Sequence, residues 1–327
     1  MKRISTLTLA VCLFAAAVPA FAAVEGAWAS SAEAKSPDTL YMNIAYGRHN
    51  NMGTTRRIAD FAGLTSAQIH AATTTPVQFT MSREAGTITF EGTYRNGKGA
   101  GQFTFAPNRS YVSTLRALDV DFDLDRRKHE NDDEETTLFT LALHDVSTAF
   151  IKSMQAEGYK TTLEKYLTMR IFDITPEFVR EMRSLGFKNL DADDLVGSRI
   201  HKVTPAYVRE MRAAGWDLSL EDLQATRIHG ATPEFAAKMK SFGYALDIDD
   251  LVSFRIHKVT PEFIEELRQL GYRNVDADDL VAMRIHRVTP EFIREIEAAG
   301  YRNVPVDKLV HMRIHRIDAK MLKSMNE

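Results

Sequence analysis

Cysteine is almost absent from this chain: Cys12 is the only one in 327 residues. It falls in an apolar N-terminal stretch, so no disulfide framework organises the rest. Roughly 300 residues can bury a core large enough to need none. Basic runs are missing too. Lys and Arg number 41 against 44 Asp and Glu, a formal charge of −3, and the cations nowhere gather into a stretch. That distribution argues against nucleic acid as a partner. Beyond Phe21 no run of about 18 apolar residues occurs, so no membrane span is expected once the N-terminal segment is gone. Catalytic signatures are lacking as well. No Ser-His-Asp order, phosphate loop or paired-carboxylate site stands out. His144-Asp145 and Asp132-Asp133-Glu134-Glu135 read as solvated faces beside a charged stretch. The expectation is a non-enzyme without cofactor or metal.

Met1-Lys2-Arg3 is basic, Ile4 to Phe21 is uncharged and largely apolar, and Ala20-Phe21-Ala22 places small residues at −3 and −1 of a cut before Ala23. This is the layout of a secretory signal peptide over residues 1–22; an uncleaved anchor is the competing reading. Removal of Lys2 and Arg3 makes the chain more acidic by two charges. The expected location is periplasmic or secreted.

A repeat dominates the C-terminal part of the chain. Val259-Thr260-Pro261-Glu262-Phe263-Ile264 returns as Val288-Thr289-Pro290-Glu291-Phe292-Ile293, and related runs place threonines at 175, 204 and 232. The period is therefore 28 or 29 residues, the mark of a solenoid-like array. It extends upstream to Ser147 and downstream to Asp318, where a charged half-unit, 320–327, ends it. Each unit encodes two short helices. Thr260 suits the N-cap, Pro261 the first helical position, and Glu262 the positive helix end. Phe263, Ile264, Leu267 and Leu270 mark one buried face. Gly271 then closes the helix, with Gly158, Gly186, Gly215, Gly243 and Gly300 in the same place. Asp276, with Asp279 three residues on, opens a second helix carrying Leu280, Val281, Met283 and Ile285, and Arg284 and His286 sit at its negative end. Helices this short are marginal alone, so they must stack on their neighbours. Residues 107–146 read as a worn first repeat: Ser110 to Leu118 resembles a first helix and Leu138 to His144 the end of a second. The dense charge of Asp119 to Glu135 forms an insertion between them.

Residues 23–106 differ. Leu40 to Tyr46, Val77 to Ser82, Thr87 to Tyr94 and Gln102 to Phe105 are short runs rich in Thr, Phe, Tyr, Ile and Val, separated by turn residues. They predict a β-meander, as a small antiparallel sheet or sandwich, with a helix over 58–72 and Trp28 in its core. The fold class is α+β: a small N-terminal antiparallel β-module, then an α-helical repeat array over 147–327.

The unit Arg284-Ile285-His286-Arg287-Val288-Thr289-Pro290-Glu291-Phe292-Ile293 resembles repeats of bacterial envelope proteins. Such repeats also occur in the extracytoplasmic tails of membrane metallopeptidases related to β-lactam-sensing antirepressor proteases. The Gly-Lys-Gly-Ala-Gly-Gln-Phe-Thr-Phe stretch at 97–105 resembles the segment before the repeats in those tails. The peptidase of those relatives needs membrane helices and a His-Glu-x-x-His helix, and this chain has neither. The resemblance therefore implies a sensor-side or accessory module, not proteolysis.

Two ladders recur with the period. His201, His229, His257, His286 and His315 come one per unit, with Phe172 in the earliest matching place. Stacked helices lie about 8–10 Å apart while zinc holds its ligands at about 2 Å, so capping and packing suit these histidines better than a shared metal. His311 and His315 could reach one ion, but Met312-Arg313-Ile314 between them lacks the glutamate of a zinc-protease motif. Arg170, Arg199, Arg227, Arg255, Arg284 and Arg313 form the second ladder, each six residues after an acid: Glu164, Asp193, Glu221, Asp249, Asp278 or Asp307. That spacing turns roughly 240° around the helix, so pairing would have to run between units. The alternative is an arginine-lined groove for an anionic ligand, with Arg199, Arg227, Arg255, Arg284 and Arg313 as its binding residues. The functional expectation is an interaction or accessory module, its array facing a protein or peptide of the cell envelope. The competing expectation is an envelope ligand-binding protein or hydrolase with a site between the β-module and the first repeats, lined by groups such as His49, Arg56 and His144.

Overall fold

The computed structural model describes residues 24–33, 36–47, 50–120 and 133–324. The signal-peptide expectation, His49 and most of the charged insertion lie outside the described residues. The chain divides into two compact units, Met1–Ile171 and Phe172–Glu327.

The first unit holds six antiparallel strands: β1 Val24–Glu33, β2 Ser36–Tyr46, β3 Asn50–Arg57, β4 Thr75–Arg83, β5 Gly86–Arg95 and β6 Lys98–Pro107. Their order is β3-β2-β1-β6-β5-β4, two three-stranded meanders joined where β1 pairs with β6. Four strands match the expected runs, but β1 and β3 were not expected. The side-chain period of two puts Trp28, Leu40, Met42, Ile44, Phe79, Phe90, Phe103 and Phe105 on one buried face. Trp28 is core as expected: its indole donates to the Glu91 and Gln102 carbonyls at 3.1 Å each, and its ring meets Phe79 edge-on at 5.4 Å.

The expected helix over 58–72 is instead a single 3₁₀ turn, Ile58–Asp60, and a four-residue helix, α1, Ser66–Ile69. Phe61, Leu64 and Ile69 are buried, and Phe61 meets Phe79 and Phe90 edge-on. The helices α2 Ser110–Ala117, α3 Glu134–Leu143, α4 Thr148–Ala156 and α5 Leu163–Ile171 come next. α3 lies on the core face of the sheet, where Phe139 stacks on Phe103 with ring centroids 5.2 Å apart and meets Tyr46 edge-on.

The second unit is a succession of helix pairs. First helices are α6 Pro176–Ser184, α8 Pro205–Ala213, α10 Pro233–Ser241, α12 Pro261–Gln269 and α14 Pro290–Ala298. Second helices are α7 Ala192–Ile200, α9 Leu220–His229, α11 Ile248–Ile256, α13 Ala277–Ile285 and α15 Val306–Ile314, and α16 Ala319–Ser324 is a last half-unit. The Thr-Pro signal works as its chemistry requires. The threonine hydroxyl accepts from the amide three residues on, at 3.3 Å for Thr260 and Phe263, and proline stands at N1. Gly186, Gly215, Gly243, Gly271 and Gly300 close the first helices at φ between +90° and +98°, a region costly for any residue with a Cβ. Asp191, Ser219 and Asp247 cap second helices through their side chains. Asp276 occupies the N-cap of α13 without a side-chain bond, so the expected capping box with Asp279 is not formed there.

Second helices pack side by side, α7 on α9, α9 on α11, α11 on α13 and α13 on α15, and α12, α14 and α16 form part of the facing layer. Phe254, Phe263, Ile264, Leu267, Leu280, Met283, Val288, Phe292 and Ile296 lie in one continuous buried cluster. Two layers that bury their apolar stripes only against each other and their neighbours account for the strict period.

Candidate functional site

The last carbonyls of a helix have no partner within it. In this array the next repeat supplies one. Arg284 Nε donates to the His257 carbonyl at 3.2 Å, Arg313 Nε to that of His286 at 3.4 Å, Arg255 Nε to that of His229 at 3.2 Å, and Arg199 Nη2 to that of Asp173 at 2.6 Å. Each guanidinium also lies over an aromatic ring from the first helix of its own repeat: Arg199 over Phe178, Arg227 over Tyr207, Arg255 over Phe235, Arg284 over Phe263 and Arg313 over Phe292, at 3.6 to 4.9 Å from the centroid. Four of the five ladder arginines of the second unit, Arg199, Arg255, Arg284 and Arg313, are therefore clamps between repeats, and Arg227 lies on the ring of its own repeat. The expected reach across one repeat is present, but the acceptors are helix-end carbonyls rather than the acids six residues upstream. First helices use the same device: Arg268 Nη2 donates to the Phe242 carbonyl at 2.6 Å and Arg212 Nη2 to that of Leu185 at 2.8 Å. On that edge Tyr244 and Tyr272 hydroxyls donate to the Val275 and Val304 carbonyls of the following repeat, at 2.8 and 2.7 Å.

The residue between each clamping arginine and each histidine faces the other way. Ile200, Ile228, Ile256, Ile285 and Ile314 are all 48–54% exposed, and they are the largest exposed apolar side chains of their helices. At about 100° per residue, Ile285 lies some 140° from Leu280 and 160° from Met283, opposite the buried stripe. Ile285 thus does not belong to the core face to which the spacing assigned it. The histidines stand at C-cap positions in α7, α11, α13 and α15, as expected. Just after them Lys202, Lys258, Arg287 and Arg316 take φ of +57° to +59°, with Gly230 at +69° in the corresponding place. One edge of the second unit therefore carries a row of isoleucines flanked by cations. The opposite edge holds the aspartates that open the second helices. There an open cleft of about 510 Å³ is lined by Tyr272, Asn274, Asp276, Asp279, Asn303 and Asp307 among others.

In the first unit the structure brings Arg56 and His144 together. Arg56 Nη2 donates to the Leu143 carbonyl at 2.5 Å, and Arg170 Nε donates to that of His144 at 3.0 Å. Asp145 pairs with Arg83 at 3.2 Å and with Arg170 at 3.3 Å, and His144 Nε2 lies 3.1 Å from Met52 Sδ. Burial, then the charges of Arg56 and Arg170, push the His144 imidazole down to about 4, and burial lowers the Arg56 guanidinium. The donors meet the C-terminal end of α3, so this cluster braces α3 to strands β3 and β4. Arg170, over Phe150 at 5.0 Å, is the ladder's first rung.

His311 and His315 do approach, with ring centroids 4.5 Å apart. Among the described residues no group of three or more His, Cys, Asp or Glu could hold a metal ion. Comparison with known protein families, curated proteins and solved structures finds no match to this chain.

Proposed function

We propose that the protein is an exported, non-catalytic interaction module whose helical array presents its isoleucine edge to a protein or peptide of the cell envelope. The observation that carries this reading is the repetition of a half-exposed isoleucine at one position in every repeat of the second unit. A single exposed apolar residue is ordinary on any protein surface. Five at one repeat position form a periodic row along the stacked second helices, and repeat arrays use such rows as extended binding surfaces. The arginine before four of the five isoleucines is engaged in holding the stack, which leaves the isoleucines as the side chains the repeat keeps without a structural use. The competing reading, a ligand site at Arg56 and His144, draws less support because the arginines of that cluster are engaged by helix-end carbonyls and by Asp145.

Affinity capture from the periplasm with the intact chain and its Ile256→Asp/Ile285→Asp variant tests the proposal. Partners retained by the native chain and lost by a variant of unchanged helicity are expected. Partners retained equally by both would reject it.

A further inference from the structure

We propose that this edge recognises an extended acidic segment of another protein that carries an apolar side chain at every third residue; the inference rests on the interaction reading above. Neighbouring second helices are in direct contact, which sets their spacing at about 8–10 Å, and each brings one isoleucine to the edge. An extended or polyproline-like chain advances about 3.1–3.4 Å per residue, so three residues cover one repeat. An α-helix rises about 1.5 Å per residue, so it needs about six residues for the same distance, and residues six apart point about 120° away from each other, which carries its apolar stripe off the row. The extended segment holds its register.

The sign of the partner's charge is set by the positions beside the isoleucines. An arginine precedes each one, and a cation stands two residues after four of the five. Those four, Lys202, Lys258, Arg287 and Arg316, are held in the left-handed region, where glycine is at ease and a side chain is strained. The pull of a helix C-terminus on a cation offsets part of that strain. The array nonetheless uses glycine there only at Gly230. A cation retained at a strained, exposed position beside an exposed isoleucine fits a carboxylate on the partner between its apolar residues. Glu234, Glu262 and Glu291, six residues after three of the isoleucines, lie in the first turns of the next helices and complement their positive ends.

Fluorescence anisotropy of the full chain with a labelled peptide of five Leu-Pro-Glu triplets tests the inference. Saturable binding is expected, weakened at least tenfold by Ile256→Asp/Ile285→Asp, and weaker by a similar factor for a peptide with a four-residue Leu-Pro-Glu-Glu period. Lys258→Glu/Arg287→Glu should lower affinity for the acidic peptide and raise it for a Leu-Pro-Lys version. Equal affinity for acidic and basic peptides, or indifference to the isoleucine substitutions, would overturn the inference. So would self-association of the chain that those substitutions abolish, since the occupant would then be a second copy. Failure of every peptide, with capture from the periplasm still dependent on Ile256 and Ile285, would remove this partner chemistry and leave the interaction reading standing.

Discussion

Replacement of Phe263 by alanine probes how the array shares its stability. The ring is buried in the cluster that also contains Phe254, Leu280, Met283 and Phe292, and truncating a buried phenylalanine costs about 3–5 kcal/mol. It also removes the surface over which Arg284 lies at 4.9 Å, worth about 0.5–1 kcal/mol at a half-exposed site. The two losses overlap, so about 4 kcal/mol is expected in urea denaturation. The effect should also travel. Arg284 holds the His257 carbonyl at the end of α11, one repeat earlier, and a guanidinium without its ring holds that carbonyl less firmly. Phe292, one repeat later, loses a neighbour in the same cluster. Hydrogen exchange should therefore show protection falling over 232–259 and 289–316 as well as over 260–288, as nearest-neighbour coupling requires. Loss confined to 260–288 would mean independent beads and refute the coupling through the clamps.

Arg284→Ala should cost about 1–2 kcal/mol in the same assay, from one charged hydrogen bond and one ring contact. Arg284→Lys should recover little of it, because an ammonium cannot both stack and donate from a planar fork. Gly271 sits at φ +92° with nothing within 4 Å of an added Cβ. Gly271→Val should therefore destabilise through backbone strain alone, by about 1–3 kcal/mol in thermal unfolding. His144 titrates near 4 in the folded chain against 6.5 ordinarily, so between those values the unfolded chain binds a proton that the folded one does not. Stability should fall as pH drops from about 7 to 4, by at most ~3 kcal/mol, and the His144→Gln variant should show a correspondingly flatter pH profile.

Much of the array could be read from its residues. Thr260-Pro261 and Gly271 are local signals whose effect is fixed within three or four residues, and the period multiplied them. The sheet was half legible. β2, β4, β5 and β6 carry aromatic and β-branched residues, whereas Ala27 to Ala32 apart from Trp28, and Asn50 to Arg57 apart from Met52, are small or polar and are strands only because neighbours pair with them. The clamp partners were hidden for a different reason. A guanidinium and the ring it covers are 21 residues apart from Phe263 to Arg284, and the carbonyl it reaches is 27 residues back. Only the packing of the helices decides that meeting. The exposed isoleucines could have been found sooner, since Ile285 is five residues from Leu280 and two from Met283, out of phase with both. His144 carried no local mark of its burial, which arises where the end of α3 meets Met52 of the sheet.

Site-specific photo-crosslinking in cells tests the central claim most directly. A benzophenone side chain at position 256, on the isoleucine edge, should trap a discrete protein partner. The same group at Arg273, exposed on the aspartate edge, should not. Trapping at 273 and none at 256 would contradict the account.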